Sequence, residues 1–344
     1  MGWFRRTLFH ALKLVGGFAV AQHLTRKQLR ILCYHGFSVT DEHLLSPYVF
    51  MRPQTFERRM RTLRKRAVAV ISLDEAVARL RQGRLGQAET VITLDDGWES
   101  NLSVIPILRS YGYPACIYIT TEHLSATTEA FNVTVVHLVH ASRKERVALR
   151  NLHPQLDDEY PIAADPPAAA AALIAAAGRI RSLAERQRLL APLAQALGID
   201  YGEFIRGGRF QFLSAPQIRE VAGQGIGIQL HTHTHCLPAE TFDAMADEIR
   251  ENRSAIRELT GIEPLHFCYP SGEYSAHHAE WLSRLGIVSA TTCDPGFNDT
   301  HVPLLLLKRY LDSESVSDIE FEAEIAGVRE LLRRMRRGLR ALLS

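Results

Sequence analysis

The sequence contains no long hydrophobic run and no cysteine pair with the CxxC spacing. Its most apolar stretch, residues 8–21, is interrupted by His10, Lys13 and two glycines, so we do not expect a membrane-spanning helix there. With 344 residues, of which 46% are hydrophobic and 23% are charged, the chain has the composition of a globular protein. Disordered and collagen-like classes are excluded by that composition.

The five cysteines are odd in number and widely separated along the chain. They are Cys33, Cys116, Cys236, Cys268 and Cys293. Such spacing predicts neither a disulfide framework nor a thiolate zinc site, and reduced thiols favour a cytoplasmic protein. The first 21 residues leave an alternative open, because a basic start, a modestly apolar stretch and an A-x-A site at 19–21 are features of a signal peptide. In that alternative the protein is periplasmic or secreted after cleavage near Ala21.

Acidic residues are absent from the first 30 positions, which carry six basic residues, and residues 327–344 carry six arginines beside Glu330. The formal net charge of +2 is therefore the sum of an acidic middle and two basic ends. Both ends also carry apolar residues at helical spacing: Phe4, Leu8, Ala11, Leu12, Val15 and Phe18, then Val328, Leu331, Leu332, Met335, Leu339 and Leu342. We predict basic amphipathic segments over 1–29 and 321–344 that bind an anionic membrane surface, peripherally on the inner membrane. The acidic middle argues against nucleic acid as a partner.

Short apolar runs alternate with helical patterns over residues 30–120 and again from residue 214 to about residue 312. The predicted strands are 30–34, 67–71, 90–94, 115–119, 227–230, 265–269, 287–292 and 304–307. Residues 122–212 lack the alternation and predict a helical insertion within a body that spans residues 30–320. Seven or eight strands with intervening helices favour an α/β barrel, in which chemistry gathers at the carboxyl ends of the strands.

Polar residues follow several of the predicted strands. His35 follows the first, Asp95 and Asp96 follow the strand at 90–94, and three histidines lie within residues 231–235. The carboxyl ends of barrel strands open on one mouth, so these side chains should converge there. Two carboxylates and three histidines at one mouth predict a functional site with a bound metal.

The three histidines allow two metal-binding geometries. On an extended strand His231 and His233 share a face, whereas His231 and His235 come within about 6 Å if the chain turns helically. Either pair, joined by a carboxylate, would give a three-ligand site with an open water position, as a hydrolytic zinc centre requires.

Asp95 and Asp96 are adjacent and would point to opposite faces of a regular strand. Gly97 permits the backbone to leave the strand, so both carboxylates can turn toward the mouth. One carboxylate could then bind a metal while the other accepts a proton from water.

Three groups of residues resemble the first three motifs of the polysaccharide deacetylase family, which is also called the NodB homology domain or carbohydrate esterase family 4. They are Thr93-Leu94-Asp95-Asp96-Gly97, His231-Thr232-x-x-His235 and Phe267-x-Tyr269-Pro270-x-Gly272. Tyr34-His35 and Thr291-Thr292-Cys293-x-Pro295-Gly296 are also similar to members of that family. The resemblance covers about residues 30–312 and is interrupted by the predicted insertion.

The resemblance implies a distorted (β/α)7 barrel that removes N-acetyl groups from amino sugars with a divalent metal, most often zinc. It implies that Asp95 is the general base and that Asp96, His231 and His235 bind the metal, which selects the helical turn over the extended strand. The backbone N–H of Ser271, next to Gly272, would stabilise the tetrahedral oxyanion. Trp98 and Tyr269 would stack on the sugar.

The chain departs from the family pattern at two positions. The third motif usually has an arginine two residues before its proline, where this chain has Cys268, and we expect Arg309 to replace it. The fifth motif usually has a Leu-x-His whose histidine protonates the leaving amine, but the matching region reads Leu306-Leu307-Lys308-Arg309. We expect His35 to be the acid, with His233 as the second choice.

These inferences predict a metal-dependent N-deacetylase acting on an N-acetylated sugar of a polysaccharide or a lipid-linked glycan. Two alternatives remain open at the level of sequence. One is a glycan-binding barrel whose catalysis is impaired by the two departures, and the other is a hydrolase of a formamide or a cyclic amide on the same fold.

Overall fold

A computed structural model describes residues 2–125, 129–149, 152–153, 159–180 and 183–343. Its strands are β1 Arg30–Tyr34, β2 Gly36–Phe37, β3 Phe50–Met51, β4 Thr90–Leu94, β5 Cys116–Ile119, β6 Arg146–Ala148, β7 Glu159–Pro161, β8 Gly227–Leu230, β9 His266–Cys268, β10 Ser289–Pro295 and β11 Leu307–Leu311. Seven of them close into a parallel barrel in the order β1-β11-β10-β9-β8-β5-β4. The predicted (β/α)7 barrel is thereby confirmed.

Sixteen α-helices lie within the described residues. They are α1 Gly2–Leu14, α2 Gly17–Leu24, α3 Glu42–Leu45, α4 Pro53–Lys65, α5 Leu73–Arg81, α6 Ile105–Tyr111, α7 Phe131–Ala141, α8 Pro166–Ala177, α9 Leu183–Arg188, α10 Leu190–Ala196, α11 Tyr201–Phe204, α12 Ala215–Gly223, α13 Phe242–Thr260, α14 Ala276–Arg284, α15 Asp318–Ile325 and α16 Val328–Leu343. None of the helices in this part of the chain combines the length and the apolar character needed to cross a lipid bilayer.

The strands at the centre of the barrel are buried on both faces, which explains their continuous apolar runs. All five residues of β1 and of β4 are buried, and the two strands pair in register from Arg30 opposite Thr90 to Tyr34 opposite Leu94. A parallel strand covered by side chains inside the barrel and by helices outside has no solvent face to alternate with.

The last predicted strand, 304–307, is displaced along the chain: residues 304–306 form a 3-10 helix and β11 begins at Leu307. Another predicted strand is wrong. Residues 67–71 form a single bridge, between Val70 and Thr90, and do not enter the barrel as a strand. Ala67 has a left-handed φ of 50°, which ends the helix before it and turns the chain sharply instead of extending it. Val68 and Ile71 are the buried residues of this run, and Ile71 packs against α5. Ala69 and Ile71 also form backbone hydrogen bonds with Thr90 of β4.

The residues between β5 and β8 pack around a hydrophobic core of their own. Helices α7, α8 and α10 supply most of it, and the antiparallel pair β6–β7 covers one side. The segment returns to the barrel through two isolated bridges, Trp98 with Phe212 and Glu129 with Gln211. Both bridges lie beside the strand end that carries Asp96, so the segment borders the barrel mouth.

The amino-terminal segment differs from the single helix expected over residues 3–19. Gly16, with a left-handed φ of 79°, divides it into α1 and α2. Phe9, Phe18 and Ala21 are buried against Ile319 and Ala323 of α15.

The three basic residues of α1 lie on the side that packs on α15, although their side chains remain 39–55% exposed. Arg5 and Arg6 pair with Glu320, and Lys13 pairs with Glu322. The opposite side of the segment is apolar and exposed: Trp3 80%, Phe4 72%, Leu8 52%, Leu14 88% and Val15 80%. The charged face and the apolar face are therefore inverted relative to an ordinary surface helix.

The carboxyl-terminal segment is also divided, at Gly327, whose φ is 83°. A Cβ there would lie 2.2 Å from the Thr25 hydroxyl, so glycine permits the terminal segments to meet. Arg333 of α16 pairs with Glu324 and Glu330. The side chains of Leu339 and Leu342, which belong to the predicted stripe, lie outside the described residues.

Candidate active site

Asp95 and Arg309 form a buried ion pair at the carboxyl end of the barrel. Arg309 comes from β11 and donates from Nη1 to Asp95 Oδ1 (2.7 Å) and from Nη2 to Oδ2 (2.8 Å). Its Nε donates to the Thr292 carbonyl at 2.9 Å, which fixes the plane of the guanidinium. Burial raises the pKa of Asp95, but the charge and the hydrogen bonds of Arg309 outweigh burial and lower that pKa to about 2. The carboxylate therefore stays ionised across the physiological range.

Asp96 leaves the strand by a left-handed turn. Its φ is 71° and that of Gly97 is 79°, so the departure begins one residue earlier than the glycine alone indicated. A Cβ on Gly97 would lie 2.8 Å from Ile119 Cγ2, which leaves no room for another residue. Positive φ at a non-glycine residue is strained, and such strain persists where the surroundings impose it, as at functional sites.

The turn brings Asp96 to two of the three histidines. Asp96 Oδ1 lies 3.2 Å from His231 Nε2 and 3.3 Å from His235 Nε2. The ligand atoms of all three residues lie within 4.8 Å of one another. Four-coordinate zinc with bonds of about 2.1 Å places its ligand atoms about 3.4 Å apart, so the three residues fit a divalent metal.

The hydrogen bonds around these ligands also fit a metal site. His231 Nδ1 donates to the Cys268 carbonyl at 2.8 Å, which directs Nε2 toward Asp96. Trp98 Nε1 donates to Asp96 Oδ2 at 2.9 Å, which leaves Oδ1 to face the imidazoles. Such outer hydrogen bonds fix the tautomer and orientation of metal ligands.

Two other groups of residues have ligand atoms equally close together, and both include Asp95. One group adds Cys33 and His35, and the other adds His231 and Cys268. Arg309 already binds both oxygens of Asp95, and its positive charge would repel a cation there. Among the described residues, the group around Asp96 is the better metal site.

The loop that carries the histidines is not the helical turn that we expected. Residues 233–235 form a bend, in which Thr232 has a φ of 63° and His235 a φ of 62°. The rings of His231 and His235 nevertheless lie 4.9 Å apart, as a helical turn would have placed them. Two left-handed residues reverse the chain as effectively as one helical turn.

His35 lies beside the ion pair. Its Nε2 is 3.9 Å from Asp95 Oδ2, and its backbone carbonyl accepts a hydrogen bond from Asn101 Nδ2. His233 points elsewhere: its Nδ1 contacts Thr121 Oγ1 at 3.0 Å and its Nε2 lies 3.4 Å from Glu251. Of the two candidates for the acid, His35 is therefore the one beside Asp95.

The third motif places Ser271 and Gly272 at the rim of the mouth, both with left-handed φ, 56° and 72°. A Cβ on Gly272 would lie 2.5 Å from the Cys293 Cβ, so only glycine permits this close approach. The expected stacking of Tyr269 on a sugar is wrong, because its side chain is fully buried and its hydroxyl donates to the Leu305 carbonyl. Trp98 is 3% exposed and its Nε1 donates to Asp96, so little of its ring is accessible for stacking on a sugar.

A cavity of about 320 Å³ adjoins Asp96 and His235. One wall is lined by Trp98, His123 and Phe212, in which the Phe212 ring lies 5.0 Å from the Trp98 ring and 4.8 Å from the His123 ring. The insertion supplies the other wall with the first residues of α7 and with α9, including Arg186. Its volume lies within the usual range for small-ligand pockets.

Sequence reasoning missed the residues that support the site from behind. Asn252 of α13 is fully buried and accepts a hydrogen bond from the His231 backbone N–H. A polar residue between Ile249 and Ile256 in an apolar stripe was the available indication. Its partners lie on other strands, which the sequence could not show.

Comparisons with known proteins relate this barrel mouth to one family. A family model described as polysaccharide deacetylase matches residues 187–290. The predicted resemblance to that family is confirmed by this match. The matched residues include His231, His235 and the third motif, whereas Asp95 and Asp96 precede them.

Solved structures of deacetylases share the fold. The Streptococcus pyogenes deacetylase PplD has a TM-score of 0.57 at 16% identity, over 85% of this chain and 96% of that chain. BC0361, a polysaccharide deacetylase from Bacillus cereus, has a TM-score of 0.55 at 16% identity, over 87% and 69%. IcaB from Ammonifex degensii has a TM-score of 0.52 at 16% identity, over 88% and 97%. Comparison with curated proteins gives no match.

Proposed function

We propose that the protein removes N-acetyl groups from an amino sugar of a polysaccharide or a lipid-linked glycan, with a divalent metal, in the first place Zn²⁺. The observation that carries the proposal is the contact of Asp96 Oδ1 with the Nε2 atoms of His231 and His235, directly beside the arginine-bound Asp95. In this arrangement Asp96 would bind a cation, and its neighbour Asp95 would remain ionised and serve as a base.

Asp96, His231 and His235 would hold the metal. A divalent cation bound to such ligands supplies Lewis-acid chemistry, which lowers the pKa of water and polarises a carbonyl group. Asp95 would accept the proton of the attacking water, because Arg309 keeps the carboxylate ionised and fixes its orientation. The low pKa that Arg309 imposes makes Asp95 a weak base, so proton transfer to it needs an acidified water.

The remaining groups would complete the hydrolysis. Water oxygen bonds to the acetamide carbon, the C–N bond breaks, and acetate and a free amine are the products. The Ser271 backbone N–H would donate to the oxyanion that forms on the carbonyl. His35, 3.9 Å from Asp95, would give the leaving amine its proton. The cavity beside Asp96 would hold the sugar.

Metal content and acetate release test the proposal. The purified protein is assayed on N-acetylglucosamine oligomers and on lipid-linked N-acetyl sugars, beside Asp95→Asn, which keeps the size of the side chain and removes the base. We expect bound metal in both proteins and a rate of acetate release that falls about 10²- to 10⁴-fold in the variant. Asp247→Asn, on the exposed side of α13, is the matched control and should keep the full rate.

Three outcomes would overturn the proposal. A metal-free, inert protein that still binds glycans would indicate a glycan-binding barrel. Hydrolysis of a formamide or of a cyclic amide, without acetate release from N-acetyl sugars, would indicate a different hydrolase. Equal acetate release by Asp95→Asn and the parent protein would remove Asp95 from the mechanism.

We propose further that the protein works peripherally at an anionic membrane surface on the cytoplasmic side of the inner membrane. The exposed apolar residues of α1 support this, because they form one continuous face that begins with Trp3 and Phe4. The basic residues of α1 contribute little to attraction, since Glu320 and Glu322 neutralise them. Insertion of apolar side chains, and not charge on this helix, would provide the contact.

A further inference from the structure

The loop that carries His231 and His235 cannot hold its shape by itself. Thr232 and His235 both have left-handed backbone conformations, and Thr232 is β-branched, the kind of residue that tolerates such a conformation least. Such a conformation is unfavourable for a residue other than glycine and persists only where its surroundings impose it. Thr232 is fully buried and its hydroxyl has no hydrogen-bond partner in the described part of the chain, so its own side chain does not stabilise the turn.

Two side chains on one face of α13 hold this loop in its conformation. Glu248 accepts from Thr234 twice, from the backbone N–H and from the hydroxyl, each at 2.9 Å. Asn252, four residues later and thus on the same face, accepts from the His231 backbone N–H at 3.0 Å. The two side chains therefore bind the loop on either side of Thr232 and His233.

Asn252 also ties the loop to the end of β5. Its Nδ2 donates to the Ile119 carbonyl at 3.0 Å and to Thr121 Oγ1 at 3.1 Å. The backbone N–H groups of Thr121 and Glu122 in turn donate to the His233 carbonyl, at 3.1 Å and 2.9 Å. Loop, helix and strand end are thus joined by one hydrogen-bond network, and each polar atom of the Asn252 side chain is used.

We propose that Asn252 and Glu248 are positioning residues of the metal centre, which hold the strained loop so that His231 and His235 face Asp96. This inference rests on the proposed metal site. Neither residue reaches the ligand atoms themselves: both act on the backbone and on Thr234. Loss of either should let the loop relax and increase the separation of the two imidazoles.

Metal affinity of the full chain measures this directly. The metal is removed by dialysis against a chelator, and Zn²⁺ is titrated back in competition with a chromophoric chelator. Partners of this kind typically change metal affinity 10- to 100-fold when they are removed, and we expect a loss in that range for Asn252→Ala and for Glu248→Gln. Co²⁺ in place of Zn²⁺ reports ligand geometry through its absorption spectrum, which should change in both variants.

The controls separate this inference from the proposed function and from a loss of folding. Asp96→Ala should lose most of its Zn²⁺ affinity, and if it does not, the metal site itself is wrong. If Asp96→Ala loses affinity while Asn252→Ala and Glu248→Gln keep the parent affinity and Co²⁺ spectrum, the positioning role is refuted. Asp247→Asn, on the solvent side of α13, should match the parent protein. Should Asn252→Ala fail to fold, Glu248→Gln, whose site is only partly buried, still decides the question.

Discussion

Arg309 contacts Asp95 next to the small side chain of Cys268. Cys268 Sγ lies 3.1 Å from Arg309 Nη2 and 3.4 Å from Asp95 Oδ2, so the thiol occupies the position at which the family usually has an arginine. Cys33 Sγ contacts the same oxygen from the other side at 3.4 Å. Burial raises the pKa of both thiols, which therefore remain neutral and do not oppose the carboxylate. Arg309 of β11 therefore makes the contact with Asp95 that we expected it to make in place of an arginine on β9.

We predict that Arg309→Ala lowers the free energy of unfolding by about 3–5 kcal/mol, because it leaves Asp95 buried without its partner. The kcat/KM for acetate release should fall as well, since the base loses its orientation. Adding Cys268→Arg to this variant should restore part of the stability and part of kcat/KM. The side chain at position 268 already lies next to Asp95 Oδ2, so an arginine there can contact the carboxylate. Urea unfolding and acetate release check the three proteins.

Arg250→Ala is the control for Arg309→Ala, because Arg250 is exposed and its pair with Asp247 lies on the surface. Its effect on stability should stay below about 1 kcal/mol. A change of similar size for Arg309→Ala, or a double variant no better than the single one, would contradict this account of the ion pair.

Helix α15 carries the acidic residues that form ion pairs with the terminal helices. Glu320, Glu322 and Glu324 are all buried, and they pair with basic residues of α1, with Arg66 directly after α4, and with basic residues of α16. Three carboxylates on one short buried helix would repel one another without these cations. The amino-terminal segment therefore contributes positive charge that compensates the carboxylates of α15.

We predict that this arrangement makes stability depend on pH through Glu320. Burial raises its pKa, but the Ser317 hydroxyl and backbone N–H and the Arg5 guanidinium outweigh burial and lower the pKa to about 2. The unfolded chain has a glutamate pKa of about 4.3, so the contribution is complete above about pH 5 and is lost as the pH falls toward 2. Because Arg5 is half-exposed and screened by solvent, we expect a loss of about 1–2 kcal/mol between pH 6 and pH 3.

Urea unfolding at the two pH values checks this, with Glu320→Gln beside the parent protein. The variant should be less stable at pH 6 and should lose less stability on acidification. Glu57→Gln, from a surface pair with Arg61, should behave as the parent does. The same pH dependence in Glu320→Gln as in the parent protein would show that another group is responsible.

At the scale of the whole molecule, the exposed apolar face of α1 and the barrel mouth are separate surfaces. α1 packs on α15, and the α2 segment leads through Thr25 to the start of β1, whereas the proposed metal ligands lie at the carboxyl ends of the strands. With 13 residues, α1 is about 20 Å long, which is less than the hydrocarbon thickness of a bilayer. Such a helix fits parallel to a membrane surface.

We predict that the protein floats with vesicles that contain phosphatidylglycerol and that Phe4→Ser/Leu8→Ser/Val15→Ser abolishes this. Binding should persist at 0.5 M salt, because apolar burial is not screened as surface charge is. Leu44→Ser/Ile262→Ser, which removes exposed apolar residues elsewhere, is the control and should float. Equal flotation of all three proteins, or none by the parent, would refute the membrane proposal.

Local patterns by themselves determined most of the elements and the positions of the chemistry. The bounds predicted for β1, β4 and β8 agree with the structure, because buried parallel strands read as short apolar runs between turn residues. The same logic placed Asp95, Asp96, His231 and His235 near one mouth, since all of them follow barrel strands. Arg309 was expected there only from the family resemblance, and it lies within β11.

Only the tertiary structure decided how these residues meet. The loop at residues 231–235, the ion pairs of α1 and the burial of Tyr269 all depend on partners far away in the chain: Asn252 on α13, Glu320 on α15, Leu305 before β11. Periodicity records which side of an element is apolar, but not what covers it. A left-handed residue such as Asp96 or Thr232 is held by its surroundings against its own preference, and therefore leaves no pattern in the sequence.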